Sequence, residues 1–209
     1  IRKLCASMCL CAKNQFMHNP KDDLPILTFK TPDALEKWLV KNNAVSNGVW
    51  MKIYKKGSGT PTVSYAQAVD VALCYGWIDG LKNPLDENAY MQRFTPRRSK
   101  SIWSKKNIEK VLRLISEGKM KPAGLKEIEK AKADGRWEQA YDSPSNMKMP
   151  DDFLKVLFKI PKARKFFQTL NKANTYAIAW RLQTAKKPET RERRMKMILE
   201  MLSNEEKFH

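Results

Sequence analysis

The segment GVWMKIYKKG (Gly48 to Gly57) has the clearest strand pattern in the chain and decides the fold class. Val49, Met51 and Ile53 alternate in it with the bulky or charged residues between them. A period of two residues is typical of a β-strand with one buried face. The Gly-Ser-Gly turn that follows predicts the end of this strand.

Three other short segments have the composition of strands. They are PILTF (Pro25 to Phe29), WIDGL (Trp77 to Leu81) and YMQRF (Tyr90 to Phe94). The polar segment KNPLDENA joins the last two, as in a pair of neighbouring strands. Together the four segments predict a small sheet, either mixed or antiparallel.

Helix start signals lie between these strands. Thr31 can cap a helix that has Pro32 at its first position and that runs to about Asn42. Ser64 and Gln67 have the spacing of a capping box, which predicts a second helix. That helix should end at Gly76, because glycine readily adopts the left-handed conformation that closes helices.

From Asn107 onward the apolar residues recur at helical spacing. In the first of these helices the predicted core stripe is Ile108, Val111, Leu112 and Ile115. Further along, Asp151 is predicted to cap a helix and Pro161 to interrupt the pattern. The sequence therefore predicts an α+β protein, with a small mixed or antiparallel sheet covered by helices and an all-helical C-terminal region after it.

The predicted domains are a leader or disordered extension (residues 1–24), an α+β domain (25–142) and a helical C-terminal region packed on the first domain (143–209). The last boundary falls in the loop WEQAYDSPSNMKMP. The first twelve residues, IRKLCASMCLCA, combine a basic start with a short apolar stretch. We expect a cytoplasmic protein, or a periplasmic one if this leader is a true signal peptide.

The chain of 209 residues has 40 basic and 22 acidic residues, and therefore a formal charge of +18. This surplus favours anionic partners, either an anionic small molecule or nucleic acid, although a solvated lysine-rich surface also accounts for it. No apolar run approaches the ~18 residues that a membrane span needs, so no integral membrane segment is predicted. The oligomeric state is left open.

Common catalytic patterns are missing from the sequence. The two histidines, His18 and His209, lie near the two ends, which argues against histidine-based triads and histidine-rich metal sites. The four cysteines lack CxxC spacing, and no glycine-rich phosphate loop occurs. No metal or cofactor is therefore predicted, and the balance of patterns favours a non-enzymatic function.

The stretch from Met91 to Lys110 concentrates seven basic residues against one acidic residue. Ser101 or Ser104 can cap the helix that follows, which would place backbone amides beside guanidinium groups. That combination suits a phosphate or a carboxylate, and arginine adds a forked geometry for binding it. A second basic concentration, near the C-terminus, contains Arg191 and Arg194 three residues apart.

Aromatic and acidic residues near this stretch have two interpretations each. Trp77 and Trp103 could stack a planar ligand, or they could fill the core. Asp79 could act as a base or orient Arg93, or it could form an ordinary ion pair. The full set of predicted ligand-binding residues is Tyr75, Trp77, Asp79, Arg93, Arg97, Arg98, Ser101, Trp103, Ser104, Asn107, Arg191 and Arg194.

Four motifs resemble the bacterial YdeI/OmpD-associated family, also called the bacteriocin-protection family. They are YGWIDG, RFTPRRSKSIWSKKN, GKMKPAGLKEIEKAKADGRWEQAY and AWRLQTAKKPETRERR, in this order, within about Thr28 to Leu202. The resemblance implies an α+β protein with a small sheet and a helical C-terminal region. It also implies a connection with protection against bacteriocins or antimicrobial peptides, without a catalytic mechanism or cofactor.

Three functions are consistent with the sequence. The first is a non-enzymatic binding protein for an anionic ligand, linked to envelope or antimicrobial-peptide stress. The second is a sequence-nonspecific nucleic-acid binding protein, and the third is an enzyme of unknown class acting on an anionic substrate. In the enzyme, Asp79 would be the acid or base and Tyr75 a proton donor.

Overall fold

The computed structural model of the protein describes residues 17–18 and 23–209. Most of the predicted leader, including Cys5, Cys9 and Cys11, lies outside the described residues. The structure therefore does not bear on the prediction of a signal peptide. The described part contains a mixed β-sheet and eight helices, which confirms the α+β class.

The sheet has four main strands and a two-residue strand at one edge. The strands are β1 (Met17–His18), β2 (Pro25–Leu27), β3 (Val49–Tyr54), β4 (Trp77–Pro84) and β5 (Ala89–Pro96). Their order across the sheet is β1-β2-β3-β5-β4. The pair β2–β3 is parallel and the other neighbouring pairs are antiparallel. The four strands expected from the sequence are therefore confirmed, in a mixed sheet.

Two helices connect the strands and six follow them. They are α1 (Pro32–Asn42), α2 (Tyr65–Cys74), α3 (Lys105–Ser116), α4 (Pro122–Ala133), α5 (Asp151–Leu157), α6 (Pro161–Phe167), α7 (Lys172–Gln183) and α8 (Pro188–Ser203). Beyond β5 the described chain has one isolated β-bridge, Ser104 to Tyr141, and is otherwise helical or irregular. The helical C-terminal region is thus confirmed.

The chain divides into two compact units. Among the described residues, the first comprises 17–18, 23–98 and 120–125, and the second comprises 99–119 and 126–209. The domain boundary at residue 142 and the packing of the C-terminal region on the first domain stay predictions.

Local signals in the first unit act as the sequence indicates. The Thr31 hydroxyl accepts a hydrogen bond from the Ala34 amide at 3.2 Å and caps α1. Ser64 and Gln67 form the reciprocal capping box at the start of α2. Gly76, with φ of 74°, lies just after the C-cap of that helix. All three signals are therefore confirmed. Each acts on backbone groups only a few residues away along the chain.

Much of the core of the first unit lies on one face of the sheet. Met51 of β3 is fully buried, and the side chains of Leu35 in α1 and Leu73 in α2 are at most 3% exposed. Trp38 of α1 meets the Trp77 ring edge-on at 5.7 Å between ring centres. Trp50, on the opposite face of β3, is only 2% exposed. The prediction of a half-buried strand is therefore wrong at this point, where both faces are covered.

The second unit has a separate helical core. The buried side chains of this cluster come from α5, α6, α7 and α8 and are Phe153, Leu157, Ala163, Ile178, Leu182, Ile198, Leu199 and Leu202. These helices have between 7 and 16 residues and are too short to be stable alone in water, so this shared cluster stabilises them.

Two local expectations in the second unit are wrong. In α3 Val111 is buried as predicted, but Leu114 is the other buried residue, and the predicted Leu112 and Ile115 are 53% and 42% exposed. The predicted stripe was therefore shifted around the helix by about one residue. Asp151 is the first residue of α5, not its cap, because Pro150 occupies the N-cap position and makes no side-chain bond.

Candidate functional site

Three arginines lie at the end of β5, in the first unit. Arg93 is directly opposite Trp50 in the antiparallel β3–β5 ladder. Directly opposite residues project to the same face of a sheet, so the half-buried Arg93 side chain lies beside the Trp50 ring. Arg97 is only 7% exposed, while Arg98 is exposed. The Arg97 amide donates to the Gly76 carbonyl oxygen at 3.0 Å, which fixes the backbone where β5 ends.

Asp79 lies on the other face of the sheet from Arg93. It is opposite Phe94 in the β4–β5 ladder, and neighbouring residues of a strand point to opposite faces. Its Oδ2 accepts a hydrogen bond from the Tyr65 hydroxyl at 2.7 Å. The nearby Lys82 places its ammonium 4.2 Å from the centre of the Tyr90 ring. Asp79 is thus positioned to orient Tyr65, and the register keeps it away from Arg93.

Tyr75 belongs to a polar cluster that sequence patterns do not reveal. Its hydroxyl donates to Glu36 Oε1 at 3.1 Å, and the Lys121 ammonium lies 3.0 Å from the same oxygen. Burial, reinforced by the negative charge of Glu36, raises the pKa of Tyr75 to about 12. The hydrogen bond from Lys121 lowers the pKa of Glu36, against the effect of burial. Tyr75 is therefore a stable hydrogen-bond donor at neutral pH.

We expect the substitution Glu36→Gln to lower the pKa of Tyr75 part of the way from about 12 towards 10. The negative charge of Glu36 disappears, whereas burial, the larger cause, remains. Because the folded-state pKa is raised, this tyrosine contributes stability that is complete below about pH 10 and is lost as the pH rises through about 12. Ultraviolet difference absorbance against pH measures the ionisation, and Tyr75→Phe assigns the signal.

The substitution Asp33→Asn is the control for that experiment. Asp33 is an exposed acidic residue of α1, as Glu36 is an acidic residue of α1, but it lies outside the Tyr75 cluster. It should leave the ionisation of Tyr75 unchanged. If both variants shift it equally, a general charge effect is at work and the specific contact with Glu36 is contradicted.

In the second unit, Trp103 is a core residue. Its ring is 2% exposed and lies 5.1 Å from the Trp137 ring, centre to centre. Beside it, the buried Arg136 donates from Nε to both oxygens of Asp134, at 2.7 and 2.8 Å. Arg136 also donates from Nη1 to the Ser101 carbonyl oxygen at 2.8 Å. Ser101 therefore contributes its backbone to this structural contact.

Ser104 caps α3, and it is one of the two serines, Ser101 and Ser104, that were predicted as possible caps. Its hydroxyl accepts from the Asn107 amide at 3.1 Å. The Lys105 amide donates to the Tyr141 carbonyl oxygen at 2.9 Å. Two of the first three amides of α3 are therefore already bonded within the protein, so the open helix end that the sequence suggested is largely closed.

A hollow of about 480 Å³ lies beside the start of α3. It is lined by Lys105, Lys106, Glu109, Asp142, Ser143, Pro144, Ser145 and Asn146. The Lys105 ammonium pairs with Asp142 at 2.7 Å, and the Gln183 amide nitrogen donates to the same carboxylate at 2.8 Å. These contacts lower the pKa of Asp142, and the hydrogen bond from Lys105 has the largest effect. With two lysines and two carboxylates, the lining has no net formal charge.

Arg191 and Arg194 hold the C-terminal end of α7. Arg191 donates from Nη1 to the Leu182 carbonyl oxygen at 2.6 Å and pairs with the Asp152 carboxylate at 2.8 Å. Arg194 donates from Nη1 to the Arg181 carbonyl oxygen at 2.6 Å. The last carbonyls of a helix have no partner within the helix, and these guanidinium groups supply one.

The predicted site residues thus fall into two groups. Tyr75, Trp77, Asp79 and the three arginines at the end of β5 are in the first unit, and the remaining six are in the second. Within the first group, Arg93 and Trp50 share a face, whereas Asp79 and Trp77 belong to the opposite one. Convergence of the whole set on one ligand stays a prediction.

Two other kinds of feature are absent from the described part of the chain. Over residues 17–18 and 23–209, no cluster of three or more histidine, cysteine or acidic side chains is arranged to hold a metal ion. In the same part of the chain, no helix combines the length and the apolar character needed to cross a membrane.

Two family models match different parts of the chain. Residues 27–127 match a Domain of unknown function (DUF8412). Residues 146–205 match the family described as Bacteriocin-protection, YdeI or OmpD-Associated. The C-terminal region is thus similar to the YdeI/OmpD-associated family. Neither the curated proteins nor the solved structures include a match to this chain.

The YdeI/OmpD-associated match covers all four helices from α5 to α8. It includes the motif AWRLQTAKKPETRERR, whose Arg191 and Arg194 join α8 to the end of α7. The motifs YGWIDG and RFTPRRSKSIWSKKN lie instead within the Domain of unknown function. The suspected family is therefore confirmed through the C-terminal helices, and the arginines at the end of β5 belong to the other match.

Proposed function

We propose that the protein is a non-enzymatic binding protein for an anionic ligand, connected with envelope or antimicrobial-peptide stress. The observation that carries this proposal is the arginine group at the end of β5, consisting of Arg93, Arg97 and Arg98. One of its members, Arg97, is 7% exposed in a chain that carries a formal charge of +18. Arginine presents a fork of N–H donors that fits phosphate or carboxylate, and three arginines at the end of one strand bring several such donors close together.

One neighbour of this arginine group helps to hold it in place. Trp50 lies opposite Arg93 in the ladder and on the same face of the sheet. Because Trp50 is only 2% exposed, its ring can support the Arg93 side chain but has no surface on which to stack a ligand. The hollow beside α3 supplies hydroxyl and amide groups but no net charge, so it is secondary to the arginines.

The connection with stress rests on the family description of the C-terminal region. A protein with a formal charge of +18 repels cationic peptides, so direct capture of such peptides is disfavoured. The proposed protection is therefore indirect and passes through an anionic ligand.

The proposal is tested by titrating tryptophan fluorescence with nucleotides and phosphorylated metabolites. We expect saturable quenching by at least one anion, and Arg98→Ala should weaken its binding about tenfold or more, because a charged hydrogen bond contributes about 1.5–3 kcal/mol. Arg98 is exposed, so this variant should fold normally. Arg97→Lys, which keeps the charge and loses the fork, is a second variant for the buried position.

Arg164→Ala is the matched control, since Arg164 is an exposed arginine of α6 and its loss removes the same charge. It should bind like the parent. An absence of quenching by every anion, or equal losses in Arg98→Ala and Arg164→Ala, would count against the proposal.

Sequence-nonspecific nucleic-acid binding is the second candidate, and the formal charge of +18 is the observation that favours it. It predicts an affinity that falls steeply with salt, by about one unit of logarithmic slope for each phosphate contact. Binding to single- or double-stranded DNA at two salt concentrations separates it from a small-ligand site. The enzyme reading is less favoured, because it needs Asp79 and Arg93 together and the register places them on opposite faces.

A further inference from the structure

A larger hollow, of about 750 Å³, lies in the second unit between the loop before α5, the end of α6 and one side of α7. It is lined by Pro144, Ser145, Met147, Met149, Phe167, Lys172, Ala173, Thr175, Tyr176 and Ala179. Small-ligand sites in proteins commonly have volumes of about 300–1,000 Å³. The hollow is therefore large enough for a small molecule, and all of its lining residues belong to one compact unit.

The walls of this hollow are mainly apolar. Met147, Met149 and Phe167 supply large apolar side chains that are half-buried without a ligand. Methionine side chains adapt to ligands of differing shape because they are unbranched and flexible. The Thr175 hydroxyl is already bonded to the carbonyl oxygen of Lys172 at 3.1 Å, so it adds little polarity. Such a lining favours a ligand whose body is a hydrocarbon.

The lining of the hollow carries positive charge and no negative charge. Lys172, the first residue of α7, is the single charged side chain among the lining residues, and no acid accompanies it. Its side chain is exposed, so its ammonium can stay hydrated while its stem borders the apolar wall. Burial, with a smaller effect of Tyr141, raises the pKa of Tyr176, whose hydroxyl therefore remains a donor at neutral pH. Both polar groups at the rim complement an anion.

We infer that this hollow binds an amphipathic monoanion, with its hydrocarbon body between Met147, Met149 and Phe167 and its carboxylate at Lys172. A medium-chain alkyl carboxylate has this chemistry. This ligand site goes beyond the proposed function, because it uses none of the arginines at the end of β5 and lies in the other unit.

Calorimetric titration of the full chain with three alkyl compounds of equal length tests the inference. The carboxylate should bind, the neutral alcohol should bind more weakly, and the alkylammonium should bind most weakly, all below their micelle concentrations. Lengthening the carboxylate should raise its affinity by up to about fourfold for each methylene, as expected for burial of hydrocarbon. Equal affinities for carboxylate and alkylammonium, or no binding of any compound, would overturn the inference.

Lys172→Met should weaken carboxylate binding about fivefold and leave alcohol binding unchanged, since only the charge at the rim is lost. Its control is Lys162→Met, which removes an exposed lysine of α6 outside the lining. Ala173→Phe fills the exposed side of the hollow and should reduce binding of carboxylate and alcohol alike. If Lys172→Met and Lys162→Met behave identically, or Ala173→Phe binds both compounds like the parent, the site is not this hollow.

Discussion

Replacing Phe153 with alanine is expected to lower the free energy of unfolding of the helical C-terminal region by about 3–5 kcal/mol. Phe153 is fully buried in α5 and meets Phe167 of α6 edge-on, with 6.2 Å between the ring centres. Removing the ring leaves a cavity in the cluster that α5, α6, α7 and α8 share. Urea denaturation followed by circular dichroism measures the loss.

Phe158→Ala is the matched control for this substitution. Phe158 is 54% exposed, and the Arg164 guanidinium lies over its ring at 5.4 Å from the centre. Its loss should change the free energy of unfolding by no more than about 1 kcal/mol. If the two variants are equally destabilised, the shared cluster is not the main source of stability in these helices.

The Phe153 variant also bears on ligand binding. Phe167, its ring partner, lines the 750 Å³ hollow. Loss of the Phe153 ring removes the support behind that wall, so the alkyl carboxylate should bind the variant less well than it binds the Phe158 variant. We therefore expect the proposed binding at this hollow to depend on packing deep in the helical core.

The elements of the fold were predictable because their signals are local. A cap such as Thr31 acts on an amide three residues away, and a closing glycine such as Gly76 acts on the helix it follows. Alternation along β3 also identifies a strand without knowledge of its neighbours. The same alternation could not reveal that Trp50 is covered, because its burial depends on residues elsewhere in the chain.

The candidate site was less predictable, because the sequence shows charges but not their partners. Arg191 and Arg194 looked like free cations, yet they bond the last carbonyls of α7. The open helix end expected at Ser104 is likewise closed by Tyr141, which lies 37 residues further along the chain. Glu36 and Lys121 were missed at Tyr75 for the same reason, since 39 residues separate Glu36 from Tyr75.

The positive surplus of the chain therefore has more than one use. Arg136, Arg191 and Arg194 are tied to oxygens of the protein itself and stabilise the second unit. A count of basic residues overstates the charge that is available to a ligand. The ligand proposals accordingly rest on position, at the end of β5 and at the rim of the apolar hollow, rather than on the total charge.

Gly124→Ala is expected to destabilise the first unit by about 3 kcal/mol. Gly124 lies in the first turn of α4, and a Cβ atom there would be 2.3 Å from the Cys74 carbonyl oxygen. Real Cβ atoms essentially never approach another heavy atom closer than 3.0 Å. Because the obstacle is backbone, the start of α4 must move away. Glycine is needed here for close approach and not for a left-handed conformation.

The same movement should be visible at Tyr75. The Lys121 amide donates to that Cys74 oxygen at 3.2 Å, and the Lys121 ammonium binds Glu36, the partner of the Tyr75 hydroxyl. Displacing the turn exposes this cluster, so the pKa of Tyr75 should fall from about 12 together with the stability. Gly80→Ala is the control, since its Cβ would meet nothing closer than 3.9 Å and should cost less than about 1 kcal/mol. A Gly124→Ala protein with parental stability and parental tyrosine ionisation would show that α4 does not pack on the end of α2 in this way.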